Sequence, residues 1–320
     1  MLSMSKTDAI SLDGVKTYPL KDRSSKVDTH DFGKPWRSGG DFGLWIDSLP
    51  KILAGNDFKR VADNMVRAAQ AKKMIILAMG AHGIKVGLNP IIIDLMERGI
   101  ICGIAMNGAG IIHDAELAMV GRTSEDVSSQ LGKGKFGMAE ETGRFLNKAT
   151  LEGAGRGFGL GKSIGAMLVE EKFPHNQISL LARAYELDIP LTVHVAIGTD
   201  IIHIHPSVDG ASIGKTSHLD FRIFAGLVSR LEGGVFINLG SAVIMPEVFL
   251  KAFSLAKNLG YNLNKFTTVN MDFIRQYRPT TNVVHRPTLD GGEGYSLVGH
   301  HEIMFPLLAA ALIEGLEKRK

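Results

Sequence analysis

Residues 74–120, MIILAMGAHGIKVGLNPIIIDLMERGIICGIAMNGAGIIHDAELAMV, constrain the fold more than any other stretch. They run as apolar segment, glycine turn, helix, second apolar segment and second glycine turn, the order of a right-handed βαβ crossover. Residues 74–78 show no alternation, as expected of a parallel strand covered by helices on both faces. The turn Gly80-Ala81-His82-Gly83 offers positive φ and an open backbone, Pro90 suits the first turn of a helix over 91–98, and Gly99 stops that helix. A second strand over 100–106 delivers the chain to Asn107-Gly108-Ala109-Gly110 and a helix carrying His113 and Asp114. Ligands of such sheets sit beyond the carboxyl ends of the strands. The same glycines also suit a chain that needs only tight connections, and His113 stands where a dinucleotide fingerprint would have its third glycine. Spacing alone therefore specifies an α/β fold and leaves nucleotide binding open.

A chain of 320 residues can bury a large core, and 45% hydrophobic with 22% charged residues is ordinary for a globular protein. A net charge of +3 with dispersed Lys and Arg argues against a nucleic-acid partner. The single cysteine, Cys102, lies in an apolar run, cannot pair within the chain and reads as inert core of a protein from a reducing compartment. The amino terminus lacks the apolar centre of a signal peptide, and no run approaches a membrane span, so the expectation is a cytoplasmic protein with no membrane partner.

Residues 1–43 are polar with sparse apolar positions and read as an extended arm anchored by Trp36 and Trp45; residues 44–320 read as one α/β domain. Helical spacing over 42–53 and 58–71 puts Val61, Met65 and Ala68 on one face. Residues 123–162 contain GKGKFG and GAGRGFGLGKS, the second a near miss to a phosphate loop because Arg156 occupies a required glycine position. This stretch reads as a flexible glycine-rich connection.

A helix over 178–186 and a strand over 190–196 follow, then Ile197-Gly198-Thr199-Asp200. His203 and His205, two apart on an extended segment, would point to one side as a weak metal pair with no third ligand nearby. A helix over 221–231, a strand over 235–239, the turn Gly240-Ser241-Ala242, a helix over 247–259 opened by Pro246 and a strand over 265–269 ending in Asn270-Met271-Asp272 repeat the pattern. One crevice can collect all these strand ends. Residues 276–301 are too polar for core and too irregular for a helix, and read as a long functional loop before an apolar helix over 302–317 broken at Pro306.

Four stretches in order resemble the deoxyhypusine synthase family: residues 107–114 (NGAGIIHD), 182–200 (ARAYELDIPLTVHVAIGTD), 235–243 (VFINLGSAV) and 304–309 (MFPLLA). The resemblance spans about 58–314. It implies a Rossmann-like parallel sheet with helices on both faces that binds NAD, in a homotetramer built as a dimer of dimers, with the amino-terminal arm packing on a neighbouring subunit. It implies a dinucleotide near His82, Gly83, Asn107, Gly108, Ala109, His113, Asp200, Gly240, Ser241, Asn270, Met271, Asp272, His300 and His301.

The family's aminobutyl transfer runs through an imine on an active-site lysine, and an imine needs a primary amine. No lysine stands between Phe266 and Leu316; NVVHRP occupies the family's lysine-bearing stretch, and Pro246 or Glu247 stands where the family has a histidine. Lys85 is the one substitute. The expectation is accordingly an NAD-dependent enzyme that acts on a small molecule by hydride transfer and does not make deoxyhypusine. His285, Arg286, Tyr277, Arg278 and Glu247 are its candidate chemical groups: imidazole for base work near neutrality, arginines for an anionic substrate. Asp272, Asp290 and Glu293 are further candidate carboxylates. A nucleotide-binding sensor without catalysis is the alternative, and a metal hydrolase on His203, His205, His218 and His300 is a third reading.

Overall fold

A computed structural model describes residues 9–318; the first eight residues of the expected arm lie outside the described residues. Helices α1 (Phe42–Ser48) and α2 (Leu53–Gln70) precede strand β1 (Ile75–Met79), and α3 (His82–Lys85) and α4 (Asn89–Glu97) lead to β2 (Gly103–Asn107). Five helices follow: α5 (Gly108–Val120), α6 (Val127–Leu131), α7 (Glu140–Arg156), α8 (Leu160–Glu171) and α9 (Leu180–Glu186). Then come β3 (Leu191–His194), α10 (Gly210–Val228), β4 (Val235–Leu239), α11 (Ile244–Asn258) and β5 (Thr267–Asp272). A short helix α12 (Tyr277–Pro279) continues into a π-helix (Thr280–His285) before β6 (Glu293–Val298) and the closing α13 (His301–Glu317).

The six strands are all parallel, in the order β3-β2-β1-β4-β5-β6. Alternate side chains of β1 enter opposite cores. Ile75, Leu77 and Met79 join the core under α2, α4, α5, α8, α9 and α13, while Ile76 and Ala78 join Phe224, Phe236 and Phe249 under α10 and α11. Both faces are covered, which is why the strand is apolar throughout. The expected fold class, a Rossmann-like parallel α/β sheet with helices on both faces, is the one the chain forms. Within α2, Val61, Met65 and Ala68 are buried as the helical spacing required. Residues 9–41 form no strand and are almost wholly exposed, with short 3-10 turns at Leu20–Asp22 and Thr29–Asp31. Trp36 remains 46% exposed, so it is a weak anchor at most, while Trp45 stacks on Phe42 within α1.

Four expectations need correction. Residues 123–162 are no flexible connection: α6, α7 and part of α8 occupy them. Their glycines provide clearance, since a Cβ at Gly143 would meet the His205 ring at 2.2 Å and one at Gly153 would meet Ser163 Oγ at 1.8 Å. Residues 276–301 form helical turns and an edge strand, in which Tyr295 and Leu297 turn inward while Glu293, Gly294 and Val298 face out. His203 and His205 do not lie on an extended segment, because Ile201–Ile204 is a 3-10 turn. The closing helix runs unbroken through Pro306, which sits near its start where few backbone bonds are lost. No helix among the described residues is long and apolar enough to cross a membrane.

Candidate functional site

The chain leaves β1 toward one face of the sheet and β4 toward the other, so the carboxyl ends of these neighbours mark the switch point where ligands of doubly wound sheets bind. The two exits touch. Gly80 N–H donates to Leu239 O at 3.1 Å, and a Cβ at Gly80 would come within 2.9 Å of Gly240 O. Neither Gly80 nor Gly83 adopts positive φ, contrary to the turn expectation, because a short helix starts at His82; Gly240 does, at +66°, as does the helix-stopping Gly99.

His301 packs its ring over Gly240, with Cε1 2.6 Å from the place a Cβ would take. The ring is 1% exposed and stands edge-on to His82 at 5.2 Å. Its Nε2–H donates to Met271 O at 3.2 Å, which leaves Nδ1 as the lone-pair nitrogen, buried and without a partner. Burial lowers the His301 pKa, opposed by the Met271 carbonyl and Asp272, so the ring is neutral near pH 7. Exposed Phe273 lies between the rings, 6.1 Å from His82 and stacked on His300 at 6.4 Å.

Across the crevice, Asn107 caps α5: its side chain accepts from Gly110 N–H at 3.1 Å and leaves the Gly108 and Ala109 amides at a helix amino terminus suited to an anion. Asp200 closes against this turn, its Oδ2 just 2.0 Å from the position of a Cβ on Gly108. That oxygen is buried without a partner, and burial raises the Asp200 pKa. Asn270 and Ser241 have structural work. Asn238, paired in register with Asn270, donates to its Oδ1 at 2.7 Å and to Ser241 O at 2.9 Å, while Ser241 Oγ accepts from Met245 N–H.

The structure thus brings His82, Gly83, Asn107, Gly108, Ala109, Asp200, Gly240, Ser241, Asn270, Met271, Asp272, His300 and His301 to one end of the sheet, at successive strand ends. His113 lies farther along α5, its pKa lowered to about 4 by burial and by Lys85. The other candidates separate. Glu247, in the first turn of α11, binds Asn282 at 2.8 Å, Lys251 and, at 3.4 Å, Arg278; Asn282 in turn accepts from Arg286. The Asn282 hydrogen bond ties the π-helix to α11 and the Arg278 pair ties α12 to it, while the Lys251 pair lies within α11 and is the first cause of a lowered Glu247 pKa. Tyr277 is exposed just beyond β5. His285 follows Val284, whose carbonyl lies 2.1 Å from a Cβ built on Gly294, near the amino end of β6 and away from His301. Asn238, Phe273 and the orphaned nitrogen of His301 had no local signal except, for Phe273, an aromatic residue just past a strand end.

No protein-family model and no curated protein sequence matches the chain. Solved structures do. An Entamoeba histolytica protein provisionally assigned as a deoxyhypusine synthase aligns at TM-score 0.52 and 15% identity over 88% of this chain and 96% of that one. A conserved Methanococcus maripaludis S2 protein, provisionally assigned as LOR/SDH, gives 0.50 and 18% over 87% and 71%. AgrE, solved with ornithine and NAD+, gives 0.51 and 15% over 82% of this chain and 33% of its own, so this chain spans about a third of AgrE. The likeness is one of fold.

Within that deoxyhypusine synthase-like fold, the near phosphate loop of residues 153–163 has its own explanation. Asp220, on α10, places its carboxylate at the amino terminus of α8, accepting from Gly161 N–H at 2.9 Å and from Val193 N–H at 2.8 Å. A carboxylate of the chain fills the place a phosphate would take. Burial pushes the Asp220 pKa up to about 7 from 3.8, against the three amides that pull it down. The folded chain therefore holds a proton that the unfolded chain releases, and the stability tied to the neutral carboxyl is complete below 3.8 and lost as pH rises through about 7. Asp220→Asn should remove this slope: urea melts at about pH 5 and about pH 8 should show the gap between variant and wild type changing with pH, and a constant gap would contradict the assignment. Among the described residues no cluster of three or more His, Cys, Asp or Glu is arranged to hold a metal.

Proposed function

We propose that the switch-point crevice binds NAD and that the protein uses it to oxidise a small molecule by hydride transfer. The observation that carries this reading is that two of the buried polar atoms without a partner flank the crevice, Asp200 Oδ2 beside the α5 amino terminus and His301 Nδ1 beside Gly240. Such atoms are costly unless a ligand completes them. The donors and acceptors fit a dinucleotide: the Gly108 and Ala109 amides would hold its phosphates, Asp200 a ribose hydroxyl, and His82 with Phe273 an aromatic ring. Bound nicotinamide supplies a hydride acceptor.

The chain's own part is proton handling and water exclusion. His301 is neutral and oriented by the Met271 carbonyl, so Nδ1 is ready to take the proton of a substrate hydroxyl or amine. Apolar side chains exposed beyond the strand ends, Ile197, Val243, Phe273 and Ile274, support a second subunit covering the crevice. The lack of a lysine between Phe266 and Leu316 argues against aminobutyl transfer through an imine, for which Lys85 is the one substitute amine. A screen of hydroxy acids, amino acids and amines with added NAD, read by nicotinamide absorbance, should find turnover that His301→Gln lowers by about 10²-fold or more. NAD binding with no turnover in the screen would favour the sensor reading.

A further inference from the structure

A cavity of 660 Å³ opens between the end of α5, the amino-terminal half of α7 and the end of α8. Its apolar wall includes Phe145 and Phe173, packed edge-on at 5.3 Å. Most of its charges are already satisfied. Arg144 is held by Glu140 and Lys148 by Glu171. Glu116 uses both carboxylate oxygens, accepting from Thr123 at 2.6 Å and Thr142 at 3.0 Å. Two lining charges of opposite sign, Arg122 and Glu141, have no partner among the described residues.

We propose that this cavity binds a zwitterionic α-amino acid with a large apolar side chain, its carboxylate on Arg122, its ammonium toward Glu141 and its side chain against Phe145 and Phe173. The volume admits an aromatic amino acid, and an apolar chamber with a few polar anchors is the usual form of a small-molecule site. Occupancy reaches His113, on the helix whose amino terminus faces the crevice, by two hydrogen bonds. The Thr123 hydroxyl that donates to Glu116 accepts from His113 Nδ1–H at 2.6 Å, which fixes the imidazole tautomer and leaves Nε2 as the acceptor. Glu116 lines the same cavity, so a bound zwitterion changes the field at the Glu116–Thr123 bond and through it at His113. This coupling regulates the nucleotide site only if the NAD reading holds; the cavity's own ligand does not depend on it.

Calorimetry on the whole chain with L-phenylalanine, phenylacetate and phenethylamine tests the proposal. Phenylalanine should bind about tenfold or more tightly than either analogue, since each lacks one charge-assisted contact. Arg122→Gln should remove about tenfold from phenylalanine and leave phenethylamine unchanged, and Glu141→Gln should remove about as much while leaving phenylacetate unchanged. Both side chains are exposed, so neither variant threatens folding. The His113 ring resonance should move with phenylalanine in the wild type and stay fixed in Thr123→Val. No phenylalanine binding, equal affinity for all three compounds, or an Arg122→Gln variant that binds phenylalanine as the wild type does would overturn the proposal. Failure of NAD to bind would remove the nucleotide reading and leave the phenylalanine titration standing.

Discussion

Asp114→Ala is expected to cost about 4 kcal/mol of folding stability, because it breaks a buried hydrogen-bond network and leaves several donors unsatisfied. Asp114 is 0% exposed on α5 and gathers donors from two other elements. Its oxygens accept from Ser179 Oγ at 2.6 Å, Leu180 N–H at 2.9 Å, Leu181 N–H at 3.0 Å and Asn89 Nδ2 at 2.8 Å. Two of these are backbone amides at the start of α9, so one carboxylate both caps that helix and ties it to α5. Burial pushes its pKa up, and the four hydrogen bonds pull it down. Alanine leaves four buried donors without an acceptor, whereas Asp114→Asn keeps the shape and part of the accepting capacity and should cost about half as much. Urea denaturation with an unchanged m-value reads the loss directly. An alanine variant within about 1 kcal/mol of wild type would show that solvent reaches these amides and that the network is not what anchors α9.

Gly240→Val is the second large effect, expressed at the site. The residue holds φ +66°, where a β-branched side chain is strained, and its Cβ would meet the His301 ring at 2.6 Å. Valine must displace that ring from beside β4, and NAD affinity should fall by about 10²-fold, a loss of about 2.7 kcal/mol. Gly260 supplies the control. Its φ is +85°, but nothing lies within 4 Å of an added Cβ, so Gly260→Ala strains the backbone and clears every neighbour. That variant should lose about 1 kcal/mol of stability and keep its NAD affinity. Equal losses of NAD affinity in the two variants would mean that backbone strain, and not the position of His301, governs the crevice.

Local pattern reveals an element when burial is uniform and hides it when burial is partial. Strand β4 matches the expected residues 235–239, because both faces of a central parallel strand are covered and every position but Asn238 is apolar. Strand β6 escaped because it lies at the sheet edge, where Tyr295 and Leu297 alone turn inward. Glycine misled in one place and informed in another. At 143 and 153 it makes room for the His205 ring and Ser163 within regular helices, while at 240 it takes the positive φ that a small-residue turn suggests.

The strand-end turns were legible as a possible crevice, since small residues recur after each apolar run. Their chemistry was not. The Asn238–Asn270 bond depends on a register between strands 32 residues apart, and the Asp220 carboxylate that fills the phosphate-like turn comes from 59 residues beyond Gly161. The imidazole of His285 suits base chemistry, yet the helical path of residues 277–288 carries it toward the amino end of β6. Only the three-dimensional path separates it from His301.

Titration calorimetry of the purified, assembled chain with NAD tests the account most directly. Association of one NAD per chain is predicted, weakened in Gly240→Val and retained in Gly260→Ala. No heat of binding from either the oxidised or the reduced nucleotide would contradict it, leaving the doubly wound sheet as shared architecture without the shared ligand.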